Sequence, residues 1–198
     1  MNRLRWIVLA LVCLLAGLGG AVARYKYYFW PKRFRVVEVG QIYRGGWQKP
    51  GPLRRVLRDY QIKTLLNVAC NPSEPDADGE GSIVREFGVG WHKILMPGTG
   101  LGTFAQLDEA ADVLADTTKR PVFVHCAAGT HRTNMAIAAH RLKHCGWTLE
   151  QSLQEMARYG FDRKRDSKQV EHLQGYLMHI QARATPPRSN PAFVSDRR

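Results

Sequence analysis

The most constraining feature of this chain is a stretch in its second half, where an apolar strand pattern runs through a loop of small residues into an alanine-rich helical pattern. The stretch begins at residue 122, and five residues of the loop separate Cys126 from Arg132. A backbone that wraps between these two residues can aim several N–H groups, a helix N-terminus and a guanidinium at one point. The sequence therefore predicts a phosphate-binding loop between a strand and a helix.

The predicted loop also contains a candidate nucleophile. A helix N-terminus and the Arg132 guanidinium favour a thiolate at Cys126, because they lower the pKa of the thiol below that of free cysteine. His125 can orient the loop, Gly129 allows a positive φ or a close backbone approach, and the Thr133 hydroxyl lies within reach of the sulfur. A phosphate site with its own nucleophile suggests phosphoryl transfer. In the alternative interpretation, a buried cysteine ends the strand and Arg132 points to solvent.

At these residues the chain resembles the cysteine-dependent protein tyrosine phosphatases, whose signature is His-Cys, five residues, Arg, and then Ser or Thr. The spacing Cys-x-x-Gly-x-His-Arg-Thr is most similar to that of the atypical dual-specificity phosphatases of plants, fungi and bacteria. Some members of that group act on phosphotyrosine and some on inositol pyrophosphates. The resemblance covers roughly residues 35–161 and includes the stretches 41–46, 62–68 and 146–150.

The resemblance implies a role for each residue of the loop. Cys126 would be the nucleophile, His125 would orient the loop, and the reaction would require neither a metal nor another cofactor. The phosphate-binding residues would be Ala127, Ala128, Gly129, Thr130, His131, Arg132 and Thr133. Two positions depart from the family pattern: Thr130 replaces a lysine common in plant and fungal members, and Asn134 replaces the usual glycine. Both departures bear on the choice of substrate.

The general acid is missing from its usual place. In related phosphatases the loop before the signature strand commonly carries an aspartate, but no carboxylate occurs in residues 91–106. His131 is the nearest titratable candidate, with Asp76, Asp78 and Glu80 as alternatives brought in by a long loop. A phenolate or a phosphate leaves far more easily than an alkoxide, so weak acid assistance slows the cleavage of such substrates least. The sequence therefore favours phosphotyrosine or inositol pyrophosphate over phosphoserine.

The composition points to an anionic partner. The formal net charge is +12, and no zinc-finger spacing or RNA-binding aromatic motif supports a nucleic acid as that partner. A phosphorylated protein, a small phosphorylated substrate or a membrane lipid fits better. The four cysteines show no paired short spacing, which argues against a disulfide framework. His140 and His144 beside Cys145 could form a metal-binding face, but without a third convincing ligand we expect no metal.

The N-terminus carries a candidate membrane anchor. After a basic segment at 1–5, residues 6–23 contain no charged residue, a length at the short end of what spans a bilayer. The basic and aromatic segment 24–33 suits the headgroup region, and its charge places the catalytic domain in the cytoplasm by the positive-inside rule. We therefore predict a single-pass anchor. The alternative is an exported protein, because residues 21–23 have the form of a signal cleavage site.

The remaining pattern predicts a three-layer α/β domain over residues 34–182, with a central mixed sheet and helices on both faces. The glycine-rich segment 97–102 should form a mobile loop beside the phosphate site, and residues 183–198 should be a disordered tail. Strands are predicted at 34–39, 42–44, 62–69, 91–96 and from 121, and helices at 50–60, 82–87, from 103, 133–145, 148–159 and 166–182.

We expect a phosphatase that acts through a phosphocysteine, most of all on protein substrates of the tyrosine or dual-specificity class. Inositol pyrophosphates, phosphoinositides and other phospholipids are the alternative substrates. A pseudophosphatase that binds phosphorylated partners without turnover is a further alternative, favoured by the missing aspartate. A rhodanese-like sulfur transferase also uses a loop cysteine, but Arg132 followed by Thr133 fits phosphate better.

Overall fold

The computed structural model describes residues 3–69 and 79–184, except for the side chains at positions 4, 21, 23, 24 and 184. Within this part of the chain, a long N-terminal helix precedes a sheet with helices on both faces. The helices are α1 (Arg3–Phe29), α2 (Pro50–Asp59), α3 (Glu80–Glu86), α4 (Phe104–Ala115), α5 (His131–His144), α6 (Leu149–Ala157) and α7 (Ser167–Ala184). The strands are β1 (Arg35–Glu38), β2 (Ile42–Gly46), β3 (Thr64–Asn67), β4 (Gly90–Lys93) and β5 (Val122–Cys126).

The five strands form one mixed sheet in the order β1-β2-β5-β3-β4. The edge strand β1 pairs antiparallel with β2, and the other pairs are parallel. Gly46 at the end of β2 pairs with Cys126, and Asn67 at the end of β3 pairs with His125. Because the carboxyl ends of neighbouring parallel strands meet at one edge of a sheet, three strands end beside the loop that follows β5.

The side chains of β5 alternate between two cores. Val122 and Val124 lie in the core formed with α4 to α7, whereas Phe123 lies in the core formed with α2 and α3. This alternation is the period of two that a strand imposes, and burial on both faces explains why β5 is apolar up to His125. The predicted three-layer mixed α/β domain is therefore confirmed.

Two helix starts follow directly from local chemistry. Thr103 and Thr148 each accept a hydrogen bond from the backbone N–H three residues later, and the glutamines at those positions bond back to the threonine N–H. Each reciprocal pair satisfies two backbone donors that the first turn of a helix leaves without partners. The predicted starts of α4 and α6 are thus confirmed.

Two strands are shorter than their apolar patterns. The pattern at 62–69 yields β3 over Thr64–Asn67, and the pattern at 91–96 yields β4 over Gly90–Lys93. Val68, Ile94 and Met96 nevertheless lie in the core. Hydrophobic patterning reports which side chains are buried, whereas the length of a strand depends on backbone pairing, so the two ranges differ.

The N-terminal helix α1 is longer than the predicted anchor and has many exposed apolar side chains, among them Ile7, Leu14 and Leu18. Its C-terminal end contacts α2, where the Arg55 guanidinium donates to the Phe29 carbonyl. Over the described residues, no helix has the combination of length and apolar character that crossing a membrane requires. The predicted span at 6–23 includes positions 21 and 23, whose side chains are not described. The predicted tail at 183–198 begins too early, because α7 runs to Ala184, and the rest of it, from 185 onward, lies outside the described residues.

Candidate active site

The predicted phosphate loop connects β5 to α5. Cys126 ends β5 and is 2% exposed, and α5 begins at His131, so the connection consists of residues 127–130. A buried strand end followed at once by a helix N-terminus is an arrangement that binds anions, because the first backbone N–H groups of the helix have no intrahelical acceptors.

The carbonyl groups of the loop point outward to basic side chains. Lys32 Nζ donates to the Ala127 carbonyl at 3.0 Å, and Arg33 Nη1 donates to the Ala128 carbonyl at 3.1 Å. Arg44 Nη2 donates to the Gly129 carbonyl, also at 3.1 Å. In a trans peptide the N–H points opposite to the carbonyl of the preceding residue. The three outer donors therefore turn the N–H groups of residues 128 to 130 toward the inside of the loop.

The inward amides act on the thiol of Cys126. Gly129 N lies 3.2 Å from Cys126 Sγ. Burial alone would raise the pKa of this thiol, but the neighbouring Thr133 hydroxyl and the N–H groups of Thr133, Gly129 and Thr130 lower the pKa to about 7. The Cys126 thiol thus ionises more readily than that of a free cysteine, as an attacking cysteine requires.

Gly129 has both a positive φ and a close backbone neighbour, the two features expected of this glycine from the sequence. Its φ is +73°, and a Cβ at this position would lie 2.5 Å from the carbonyl carbon and oxygen of Gly45. The loop therefore packs directly on the backbone at the end of β2, and a side chain would force the two segments apart.

Arg44 supports the loop from below, a role that its place in the sequence did not indicate. It is buried, its Nη2 donates to Asn134 Oδ1 at 2.6 Å, and its guanidinium lies 3.9 Å from the ring centroid of Tyr159. Burial lowers the pKa of Arg44 to about 10. Asn134, which replaces the usual glycine after Arg-Thr, thus accepts a hydrogen bond from the arginine behind the phosphate loop. The available signal was an arginine inside an otherwise apolar strand pattern at 42–46.

His125 forms a buried ion pair beneath the loop. Its Nε2 lies 2.9 Å from Glu80 Oε1, and the other carboxylate oxygen of Glu80 accepts from Asn67 Nδ2 at 2.8 Å. Burial acts to lower the pKa of His125, but the Glu80 carboxylate outweighs it and raises the pKa. Burial acts to raise the pKa of Glu80, and its partners, His125 first among them, lower it. The suggestion of Glu80 as a general acid is therefore wrong, because its carboxylate is buried, ionised and bonded to His125. The other two suggested acids, Asp76 and Asp78, lie outside the described residues.

The remaining predicted site residues lie in the first turn of α5. Arg132 and His131 are both partly exposed. His131 Nε2 lies 3.7 Å from the nearer carboxylate oxygen of Asp166, just before α7. Asp166 also accepts from Arg165 and from the Asp162 N–H, so its carboxylate has a fixed position. The structure thus adds Asp166 to the site as a neighbour of His131, which no spacing in the sequence indicated.

The glycine-rich loop 97–102 lies beside the site, as predicted, but it is bound at several points. Gln169 Nε2 on α7 donates to the Thr99 carbonyl at 2.6 Å, and His172 Nε2 lies 2.7 Å from the Gly102 carbonyl oxygen. A Cβ on Gly100 would lie 3.1 Å from the His131 carbonyl. This loop therefore packs closely on the start of α5, and it brings no carboxylate with it.

One cluster of metal-ligating side chains occurs among the described residues. Ligand atoms of Glu38, His140 and Cys145 lie within 4.8 Å of one another. The Arg141 guanidinium donates to Glu38 and lies 3.9 Å from Cys145 Sγ, and burial lowers the pKa of His140 to about 4. A permanent cation already neutralises the acid of this cluster, so its chemistry is a poor fit for a divalent ion. The expectation that no metal is required stays a prediction.

Comparisons with known proteins agree with this arrangement. A family model described as "Tyrosine phosphatase family" matches residues 28–191. Over 144 residues the chain is 28% identical to the inositol diphosphatase DSP4 of Arabidopsis thaliana, a match that covers 70% of this chain and 69% of the plant protein.

Solved structures share the fold at lower identity. The core catalytic domain of the PP-IP phosphatase SIW14 from S. cerevisiae, in complex with citrate, is 21% identical with a TM-score of 0.61, and the match covers 78% of this chain and 93% of that chain. PTPMT1 in complex with PI(5)P is 19% identical with a TM-score of 0.65, and the match covers 78% of this chain and 100% of that chain. At this identity the likeness concerns the fold alone.

Proposed function

Because the chain belongs to the tyrosine phosphatase family, as a member of the cysteine-dependent superfamily of the atypical dual-specificity type, we propose that it cleaves the diphosphate group of polyphosphorylated inositols. The observation that carries this proposal is the loop around Cys126, in which inward N–H groups lower the pKa of the thiol to about 7. The absence of a carboxylate from the neighbouring loop 97–102 favours substrates whose leaving group needs no proton.

The first step is attack of the Cys126 thiolate on a terminal phosphorus atom. An S–P bond forms as the P–O bond to the leaving group breaks, and the bonding electrons leave with that oxygen. The inward N–H groups of the loop and the Arg132 guanidinium bind the equatorial oxygens, where negative charge is concentrated in the transition state. Arg44 and Lys32 bind the outer carbonyls and keep these donors in place before the substrate arrives.

The second step is hydrolysis of the phosphocysteine. Water attacks phosphorus, the S–P bond breaks, and the products are inorganic phosphate and the Cys126 thiolate. The proton lost by the water goes to a base, for which His131 beside Asp166 is the nearest candidate. The same imidazole, when protonated, can donate to a leaving oxygen in the first step.

The missing loop acid favours a diphosphate over a phosphomonoester. When a diphosphate is cleaved, the leaving group is itself a phosphate, which departs as an anion without a proton. Loop 97–102 contains no carboxylate, and Glu80 is bonded to His125. The lack of a dedicated acid therefore lowers the reaction rate least for a diphosphate substrate.

The charge around the loop also suits a substrate with several phosphate groups. Lys32 and Arg33 border the loop and Arg44 lies behind it, in a chain whose net charge is +12. Such a concentration of positive charge raises the local concentration of polyanions. The relative named an inositol diphosphatase supports the same substrate class. Phosphotyrosine proteins, the first choice from the sequence, thereby become the weaker hypothesis.

A phosphoinositide in a membrane is the second candidate substrate, favoured by the position of α1. Its C-terminal end is aromatic and basic, with Tyr25, Tyr28 and Lys26, and it contacts α2 of the catalytic domain through Arg55. Basic and aromatic side chains beside an apolar helix suit a lipid headgroup region. We propose that α1 associates with a membrane and that the catalytic domain lies on the cytoplasmic side.

The proposal is tested by phosphate release from the purified full-length chain. The panel consists of a diphosphoinositol polyphosphate, a phosphotyrosine peptide, a phosphoserine peptide and vesicles of phosphatidylcholine containing a phosphatidylinositol phosphate. We expect kcat/KM to be highest for the diphosphoinositol, by about tenfold or more over the peptides, which corresponds to roughly 1.4 kcal/mol of transition-state binding. Cys126→Ser is the control and should release no phosphate from any member.

Two other results would change the assignment. Preference for the phosphotyrosine peptide would contradict the inositol proposal and restore the protein phosphatase hypothesis. Binding of all four ligands without phosphate release, by a correctly folded chain, would identify a phosphate-binding protein without turnover.

A further inference from the structure

A second basic cavity adjoins the catalytic loop on the side of β1 and α6. Its volume is about 310 Å³, and four arginines line it: Arg33, Arg35, Arg44 and Arg158. Gly129 and Thr130 of the loop form another part of its wall. Over the described residues, this lining contains no acidic side chain. Four guanidinium groups around one cavity repel each other unless an anion lies among them.

The buried member of this group has neutral partners. Arg44 is 1% exposed, and its Nη2 donates to the Gly129 carbonyl and to the Asn134 side-chain oxygen. Its guanidinium stacks on Tyr159, another residue of the cavity wall. No carboxylate is hydrogen-bonded to Arg44, and the attraction of Glu155 and of the Cys126 sulfur does not outweigh the cost of removing water, so the pKa of Arg44 falls to about 10. A phosphate group nearby would offset that cost.

The other three arginines are exposed at the rim and can turn toward a ligand. Arg33 and Arg35 each use one Nη1 atom to bind a backbone carbonyl, of Ala128 and Phe34 respectively. Because a guanidinium carries five N–H donors, each of these side chains keeps donors for a phosphate. Arg158 follows the end of α6 at Ala157 and completes the rim.

The cavity and the catalytic loop share a wall. The N–H of Gly129 faces Cys126 Sγ at 3.2 Å, while the same residue lines the arginine cavity and its carbonyl binds Arg44. The two sites are therefore adjacent, and a ligand that contacts both must carry more than one phosphate group.

We propose that the cavity formed by Arg33, Arg35, Arg44 and Arg158 binds a second phosphate group of the substrate while Cys126 attacks the first. This inference rests on the proposed function, because it names the part of the protein that distinguishes a polyphosphate from a monophosphate. The ligand chemistry is a phosphate monoester dianion, which either a soluble inositol polyphosphate or a phosphoinositide headgroup supplies.

The test compares the binding of a polyphosphate with that of a monophosphate in the full-length chain. Inositol hexakisphosphate and inorganic phosphate are used as competitive inhibitors of p-nitrophenyl phosphate hydrolysis, and the ratio of their inhibition constants is measured for the wild type, Arg35→Gln and Arg158→Gln. Each variant should raise the inhibition constant of inositol hexakisphosphate about tenfold more than that of inorganic phosphate, as expected for one lost charge-assisted contact. The matched control is Arg163→Gln, because Arg163 is exposed after α6 but binds Glu150 outside the cavity. Its ratio should stay within about twofold of the wild type.

A second arm replaces the soluble inhibitor by phosphatidylcholine vesicles with and without phosphatidylinositol bisphosphate. If the arginine variants weaken inhibition by inositol hexakisphosphate more than inhibition by inorganic phosphate, the cavity binds soluble inositol polyphosphates. If they weaken only inhibition by the vesicles that contain phosphatidylinositol bisphosphate, the cavity binds lipid headgroups. The proposal is overturned if the variants weaken inhibition by inorganic phosphate and by both polyphosphates equally, or if they weaken none of them. Since inhibition requires no cleavage of an inositol compound, the cavity can fail this test while the proposed reaction stands, and it can pass the test when another phosphorylated compound is the substrate.

Discussion

At Cys126 two opposing effects decide the reactivity of the thiol. Burial favours the neutral thiol, whereas the nearby donor groups of Thr133, Gly129 and Thr130 favour the thiolate and lower the pKa to about 7. A thiolate that titrates near neutrality makes kcat/KM rise with pH through about 7, because only the deprotonated sulfur attacks. The contribution of a single hydrogen bond can therefore be read from a pH profile.

The substitution Thr133→Val tests this contribution, because valine keeps the shape and removes the hydroxyl. Loss of the donor should raise the pKa of Cys126, so alkylation of Cys126 by iodoacetamide should become about tenfold slower at pH 6 and change much less at pH 8.5. Peptide-resolved mass spectrometry measures the labelling, and exposed Cys145 is the internal control. An unchanged pH profile for Cys126 would show that the hydroxyl does not stabilise the thiolate.

His131 is predicted to transfer the proton of the reaction, together with its neighbour Asp166. His131→Ala should slow a poor leaving group, such as an alkyl phosphate, about tenfold to a hundredfold more than an activated aryl phosphate, whose oxygen needs no proton. The measurement is the ratio of the two losses in kcat/KM. If both rates fall by the same factor, His131 is a structural residue.

Several residues of the site could be predicted from the sequence, and others could not. Cys126 and Gly129 were found because the chemistry of a thiol and the flexibility of a glycine are local properties of a short loop. Lys32, Arg44 and Asp166 bind or adjoin the loop from distant parts of the chain. One sequence does not show such contacts, because they depend on how strands and helices pack.

At the scale of elements, the Glu80–His125 pair joins the start of α3 to the end of β5. Asn67 at the end of β3 binds the same carboxylate, so three elements meet under the catalytic loop. Removing one partner of a buried ion pair leaves the other charge without compensation, which is strongly destabilising.

We predict that Glu80→Gln lowers the free energy of unfolding by about 3 kcal/mol. The lowered pKa of Glu80 adds stability above the unfolded pKa of glutamate, and this stability is lost as pH falls through the folded pKa. The raised pKa of His125 adds stability below the unfolded pKa of histidine, and this stability is lost as pH rises through the folded pKa. The effect should therefore be largest between about pH 5 and 6.

Urea unfolding across that pH range measures this effect. The control is Glu86→Gln on the same helix, because Glu86 forms an exposed pair with Arg54, and this substitution should change stability far less than Glu80→Gln. A loss for Glu80→Gln no larger than that of the control would contradict the account of the buried pair.

The boundaries of helices and strands were predicted correctly where a local residue determines them. The starts of α4 and α6 were predicted correctly because Thr103 and Thr148 cap their own helices. The ends of β3 and β4 were not, because Val68, Ile94 and Met96 are buried without belonging to a strand. Loop 97–102 was correctly placed beside the site from its composition, but its attachment to α7 through Gln169 is a tertiary contact.

At the scale of the whole molecule, the proposed membrane association of α1 makes a prediction of its own. The mature chain should retain residues 6–23 and should be recovered in the membrane fraction. Mass spectrometry of the N-terminus and fractionation of cells measure the two parts. A mature chain that begins at Arg24 would instead indicate export, and recovery in the soluble fraction would leave α1 without a membrane role.

The central claim is that Cys126 carries the phosphoryl group between substrate and water. The most direct measurement is acid quenching of the full-length chain during turnover of a diphosphoinositol polyphosphate whose terminal phosphate is labelled, followed by mass spectrometry of the peptide that contains residues 121–132. We predict covalent label on Cys126 in the wild type and none on the same peptide in Cys126→Ser. Turnover by Cys126→Ser, or label on His131 rather than on Cys126, would contradict the account.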